Sequence, residues 1–135
     1  MENPRDRPVD SEKITINLGY VDLGRVDLLV REGFYANRTD FIRAAIRARI
    51  EAHAEAVSGS LARRTLELGL RDYNRADLEA ARAQGRRLHI RVVGLARIAR
   101  DVTPELARET IETITVLGAF QASPEVRAAL SDRIR

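Results

Sequence analysis

The chain reads as an α+β protein, with a strand and two helices at its N-terminal end followed by a small α/β module of about three strand-helix repeats. Three observations carry this reading. Residues 13–18 alternate polar and apolar without a break, the pattern of a strand with one buried face. Residues 22–50 place apolar side chains at helical spacing in two runs divided near Gly33. Beyond residue 60, a five-residue pattern recurs at an offset of 24, and each copy leads to a helix start.

Met1 to Ser11 holds Pro4, Pro8 and several charges with no periodicity, so residues 1–11 are expected to form a flexible arm. Lys13-Ile14-Thr15-Ile16-Asn17-Leu18 is rich in β-branched residues and predicts a strand that buries Ile14, Ile16 and Leu18 on one face. Gly19 ends it. Asp22 is placed to cap a helix carrying Val26, Leu29 and Val30, and Gly33 to close that helix in a left-handed conformation. After a tight turn at Phe34-Tyr35-Ala36, Asn37 and Asp40 form an N-x-x-D variant of the capping box. It opens a second helix whose stripe is Phe41, Ile42, Ala45, Ile46 and Ile50. A unit over residues 12–57 is too small for a self-sufficient core, and one strand cannot form a sheet alone. It must pair with another copy.

Val57-Ser58-Gly59-Ser60 reads as a short small-residue linker. In residues 61–135, Ile90-Arg-Val-Val-Gly94 recurs as Ile114-Thr-Val-Leu-Gly118. The copies lead to Thr103-Pro104-Glu105 and Ser123-Pro124-Glu125, each with a cap, a proline at the first helical position and an acid in the first turn. A weaker copy, Leu66-Glu-Leu-Gly69, precedes another capping-box start at Asn74-Arg-Ala-Asp77. The last helix is expected to bury Val126, Ala129, Leu130 and Ile134. No strongly polar capping unit follows Ala119, so the terminal strands are expected to need partners. Self-association of this half into an oligomer above the dimer is the expected consequence.

Composition excludes several functions. There is no cysteine among the 135 residues, which removes disulfides, thiolate metal sites and cysteine nucleophiles. His53 and His89 are the only imidazoles and have no flanking ligand set, so neither a metal nor a cofactor is expected. No Gly-rich phosphate loop and no Ser/His/Asp arrangement is present, so a catalytic role is not expected. No segment approaches the roughly 18 apolar residues of a membrane span, and a cytoplasmic protein is expected. The net charge is +3, but the first 57 residues carry nine basic and ten acidic side chains. Net charge therefore does not locate a nucleic-acid site. All but one of the 23 basic residues are arginine, which a codon bias explains as readily as a polyanionic partner.

Alternation alone favours an ordinary half-solvated edge strand over a functional one. The block Lys13-Ile-Thr-Ile-Asn-Leu18, the Gly33-Phe-Tyr turn and Asn37-Arg-Thr-Asp-Phe-Ile-Arg-Ala-Ala-Ile-Arg47 together resemble the ribbon-helix-helix family of bacterial DNA-binding proteins, the Arc, MetJ and CopG group. The resemblance covers residues 12–53. It implies a homodimer formed through the N-terminal strand, whose two-stranded ribbon enters the major groove of double-stranded DNA. Lys13, Thr15 and Asn17 then look like the base-reading residues, and their side chains suit guanine, thymine or adenine edges. Asn37, Arg38 and Thr39, at a helix start where backbone N–H groups face outward, look like the phosphate-binding set. Arg5 and Arg7 on the arm would add flanking backbone contacts. The expected function is sequence-specific transcriptional repression. A DNA-binding antitoxin with a toxin partner and a polymer-forming scaffold dimerised by the ribbon unit are the alternatives.

Overall fold

The structure is a computed structural model that describes residues 11–135. Apart from Ser11, the expected arm lies outside the described residues, as do Arg5 and Arg7. The chain divides into two compact units, Ser11–Gly59 and Ser60–Arg135.

In the first unit, residues 12–19 form neither strand nor helix, and Ile14, Ile16 and Leu18 are exposed rather than buried. The physical reason is that a strand takes its ladder hydrogen bonds from a neighbouring strand, and residues 11–59 hold no other one. Helix α1 spans Tyr20–Arg31. Its N-cap is Gly19, not Asp22, which sits in the first turn; the cap is backbone alone, with no side-chain bond. At the other end Gly33 has φ +86°, and its N–H bonds the Val30 carbonyl while the Phe34 N–H bonds that of Leu29. That pair of bonds is a Schellman closure, which needs a left-handed residue and hence favours glycine.

Helix α2 spans Arg38–Ala52 with Asn37 as N-cap. Helix α3, Ala54–Arg63, corrects the expected linker: Val57 to Ser60 are helical. Ser58 and Ser60 are close to neutral in a helix and Gly59 costs only about 1 kcal/mol, while Ala54, Ala56 and Ala62 favour the helix throughout. His53 separates α2 from α3.

The second unit runs β1 (Glu67–Tyr73), α4 (Arg75–Ala83), β2 (Leu88–Ile98), α5 (Pro104–Thr110), β3 (Ile111–Gln121) and α6 (Pro124–Ala129), with a final 3₁₀ turn over Ser131–Arg133. The strands form one parallel sheet in the order β1-β2-β3. Register pairs Gly69 with Gly94 and Gly94 with Gly118. The helix starts are built as their residues dictate. Asn74 and Asp77 make a reciprocal capping box, and Thr103 and Ser123 cap helices that open on proline.

Leu78, Ile90, Val92, Ile98, Leu106, Ile111, Ile114, Val126 and Leu130 close the core of this unit with little aromatic help. Ile134 does not join the last helix's stripe. It leaves the helix and bridges Ile114, and the Arg135 N–H donates to the Ile114 carbonyl at 2.7 Å. The C-terminal residues therefore cover part of the outer edge of β3, which the sequence had suggested would stand open.

Candidate nucleic-acid interface

The helix start at Asn37 is set by local chemistry. The Asn37 side-chain oxygen accepts from the Asp40 N–H at 2.8 Å, as an N-cap should. The reciprocal half differs from a capping box, because the Asp40 carboxylate accepts from the Ala36 N–H at 3.0 Å rather than from that of Asn37. The turn before α2 is thus tied one residue further back. Tyr35 packs edge-on against Phe41, ring centroids 5.0 Å apart, which holds the turn to the helix's first apolar residue. The amides of Arg38 and Thr39 open the helix, where no intrahelical acceptor exists and the dipole is positive.

Arg38 is engaged within the unit. Its Nε donates to Asp27 Oδ1 and its second guanidinium nitrogen to Asp27 Oδ2, both at 2.8 Å, a bidentate pair that ties α2 to α1. The hydrogen bonds from Arg38 hold the Asp27 carboxyl below its ordinary range, and the carboxylate in turn raises the guanidinium. Both side chains remain half-exposed, so the pair can be reached from solvent. Nothing in the sequence pointed to it. The two residues lie eleven apart across a turn, a separation to which no helical or strand periodicity applies.

Lys13, Thr15 and Asn17 are all exposed. Among the described hydrogen bonds none joins this set to Asn37, Arg38 or Thr39. The rest of the unit is short of cover. Val26 is its only buried residue among those described, whereas Ile14 is 77%, Ile16 58%, Leu18 42%, Ile46 52% and Ile50 59% exposed. Those residues were expected to form the buried faces of the strand and of α2. The apolar side chains expected at the core of this unit are thus largely left in solvent.

His89 Nδ1 lies 2.8 Å from the Thr113 hydroxyl on the neighbouring strand, and His53 sits at the break between α2 and α3. Among the described residues no cluster of His, Asp or Glu is placed to hold a metal ion, and no helix is long and apolar enough to cross a membrane.

The profile of the ribbon-helix-helix transcriptional regulator family matches residues 9–127. The match runs through the first unit and most of the second, well past the segment that carried the sequence resemblance. Neither the curated proteins nor the solved structures include a significant match.

Proposed function

Because the chain belongs to the ribbon-helix-helix transcriptional regulator family, we propose that it is a cytoplasmic, sequence-specific repressor that binds operator DNA as a homodimer and has no catalytic role. Residues 13–18 of two copies pair antiparallel. Ile14, Ile16 and Leu18 then turn inward onto α1 and α2, while Lys13, Thr15 and Asn17 of both chains enter the major groove. The observation that carries this reading is the uncovered apolar set of the first unit, Ile14, Ile16, Leu18, Ile46 and Ile50. A second strand and two further helices would cover it. Asn37, Arg38 and Thr39 flank the ribbon and receive a phosphate at the start of α2.

The second unit is read as three strand-helix repeats, supported by the pairing of Gly69, Gly94 and Gly118 in one register. A unit with its own core favours a regulator over an antitoxin, whose toxin-blocking segment is typically short and disordered until bound. Selection of bound fragments from random-sequence double-stranded DNA tests the proposal. A palindromic enriched motif is expected, and enrichment without sequence preference rejects it.

The Asp27–Arg38 pair supplies a sharper test of the phosphate contact. Replacing Arg38 by alanine removes one phosphate partner per chain and is expected to flatten the slope of log K against log salt by about 0.9 for each phosphate left without its arginine. Asp27→Asn releases the guanidinium and removes a negative charge beside the site, so it is expected to tighten non-specific binding and steepen the same slope. If neither change moves the slope, measured by titration at several salt concentrations, Arg38 does not touch phosphate.

A further inference from the structure

The two edges of the three-stranded sheet are treated differently by the chain. Along β3, the Ile111 and Ile114 carbonyls accept from the Arg133 guanidinium and the Arg135 N–H, and the Phe120 carbonyl accepts from Arg127. Along β1, no described hydrogen bond reaches the outer edge between Glu67 and Asp72, and every residue from Glu67 to Asp72 is exposed. Leu68 is 70% and Leu70 50% exposed. The strand carries neither lysine nor proline, two of the common devices that keep such an edge from pairing.

The sequence of β1 decides what fits there. Glu67-Leu68-Gly69-Leu70-Arg71 is self-complementary about Gly69. When two copies run antiparallel with Gly69 facing Gly69, Glu67 of each lies opposite Arg71 of the other, and Leu68 lies opposite Leu70 of the other. Directly opposed residues share a face and stand about 4.5–5.5 Å apart at Cβ, so the charged pairs fall on one face and the apolar pairs on the other. In the single chain Arg71 instead reaches Glu67 on its own strand at 3.2 Å, an exposed pair. No such match exists when the strands slide by two residues, which puts Leu70 opposite Leu70 but leaves Leu68 facing Asp72 and Arg71 facing Gly69.

We propose that β1 pairs antiparallel with β1 of a second copy about a two-fold axis at Gly69, joining two three-stranded sheets into one of six. The occupant is a second copy because the strand's own charge and apolar pattern complements itself. The interface is closed because the other sheet edge is already partly occupied by the C-terminal residues. A head-to-tail stack, β3 on β1, meets that cover. The pairing is independent of any contact with DNA.

The absence of cysteine makes a disulfide test direct. Two full-length chains of different tag length are co-produced, one carrying Leu68→Cys and the other Leu70→Cys. Both positions are exposed and lie outside the core, so the fold is retained. Under mild oxidation the mixed covalent dimer is expected to dominate on a non-reducing gel. Like positions stand on a diagonal about 7–8 Å apart, too far for an unstrained disulfide. Absence of a covalent dimer, or like-with-like dimers as abundant as the mixed one, overturns the proposal.

A second arm uses charge. Glu67→Arg in every chain is expected to lower the yield of that crosslink several-fold. Confining Glu67→Arg to one chain and placing Arg71→Glu in the other restores it. Indifference to these reversals counts against the register. Light scattering of the unaltered protein must reach a limiting mass, since growth without limit as concentration rises identifies the head-to-tail stack instead.

Discussion

A chain in which Lys13, Thr15 and Asn17 are all replaced by alanine is expected to keep its fold and its weak, salt-sensitive hold on any DNA while losing preference for its operator. At protein–DNA interfaces phosphate contacts set orientation and bulk affinity, and base-edge contacts set sequence. All three residues are exposed and none supports the core, so their truncation should leave stability nearly unchanged. Removing a bidentate hydrogen bond to a base costs about 1–3 kcal/mol of discrimination, and a dimer is deprived of both copies. Specific binding is typically about 10³–10⁷ tighter than non-specific binding. Removal of six side chains per dimer is thus expected to bring operator affinity down to the level of unrelated DNA. Competition binding at fixed salt measures it, and a triple variant that still prefers the operator shows that the ribbon is not the reader.

What the sequence made legible follows the range of the interactions involved. The start of α2 could be read because capping is local: Asn37 and Asp40 need only the turn between them. The same holds for Asn74, Thr103 and Ser123, each found as the N-cap of its helix. The start of α1 was misread because Gly19 caps through backbone geometry alone, and Asp22 offered the more familiar side chain. Val57 to Ser60 looked like a linker because small polar residues usually mark one, yet a single glycine among alanines does not stop a helix. The strand at 13–18 is legible as a pattern and absent as a structure, since residues 11–59 hold no second strand to share its hydrogen bonds. The Asp27–Arg38 tie joins residues on two helices, and no short-range rule pairs them. At the candidate interface, residue types could be read, but the ion pair that occupies Arg38 could not.

Gly94→Ala is expected to destabilise the second unit by about 2–6 kcal/mol, the sum of two separable causes. The first is conformational: Gly94 has φ +137°, which an L-residue adopts only at a cost of about 1–3 kcal/mol. The second is steric. A Cβ at Gly94 would lie 2.2 Å from the Gly69 carbonyl oxygen, and the obstacle is backbone, so β1 must move away from β2 or the strand must twist, at a further cost of about 1–3 kcal/mol. Gly118 repeats the arrangement one strand later, with φ +118° and the Gly94 carbonyl oxygen 2.1 Å from the added carbon. Its alanine variant should lose a similar amount. Gly69 separates the two causes. Its φ is +132°, but nothing lies within 4 Å of an added Cβ, because no strand precedes β1 in the single chain. In the unpaired chain Gly69→Ala should therefore cost only the conformational share, about 1–3 kcal/mol less than its two counterparts, so the midpoints are compared at protein concentrations low enough to keep β1 edges apart. A domain stability of about 5–15 kcal/mol leaves Gly94→Ala and Gly118→Ala with a markedly lower urea midpoint and Gly69→Ala with an intermediate one. Equal midpoints for all three would mean that the neighbouring carbonyl yields freely and that backbone conformation alone keeps glycine at these three paired positions.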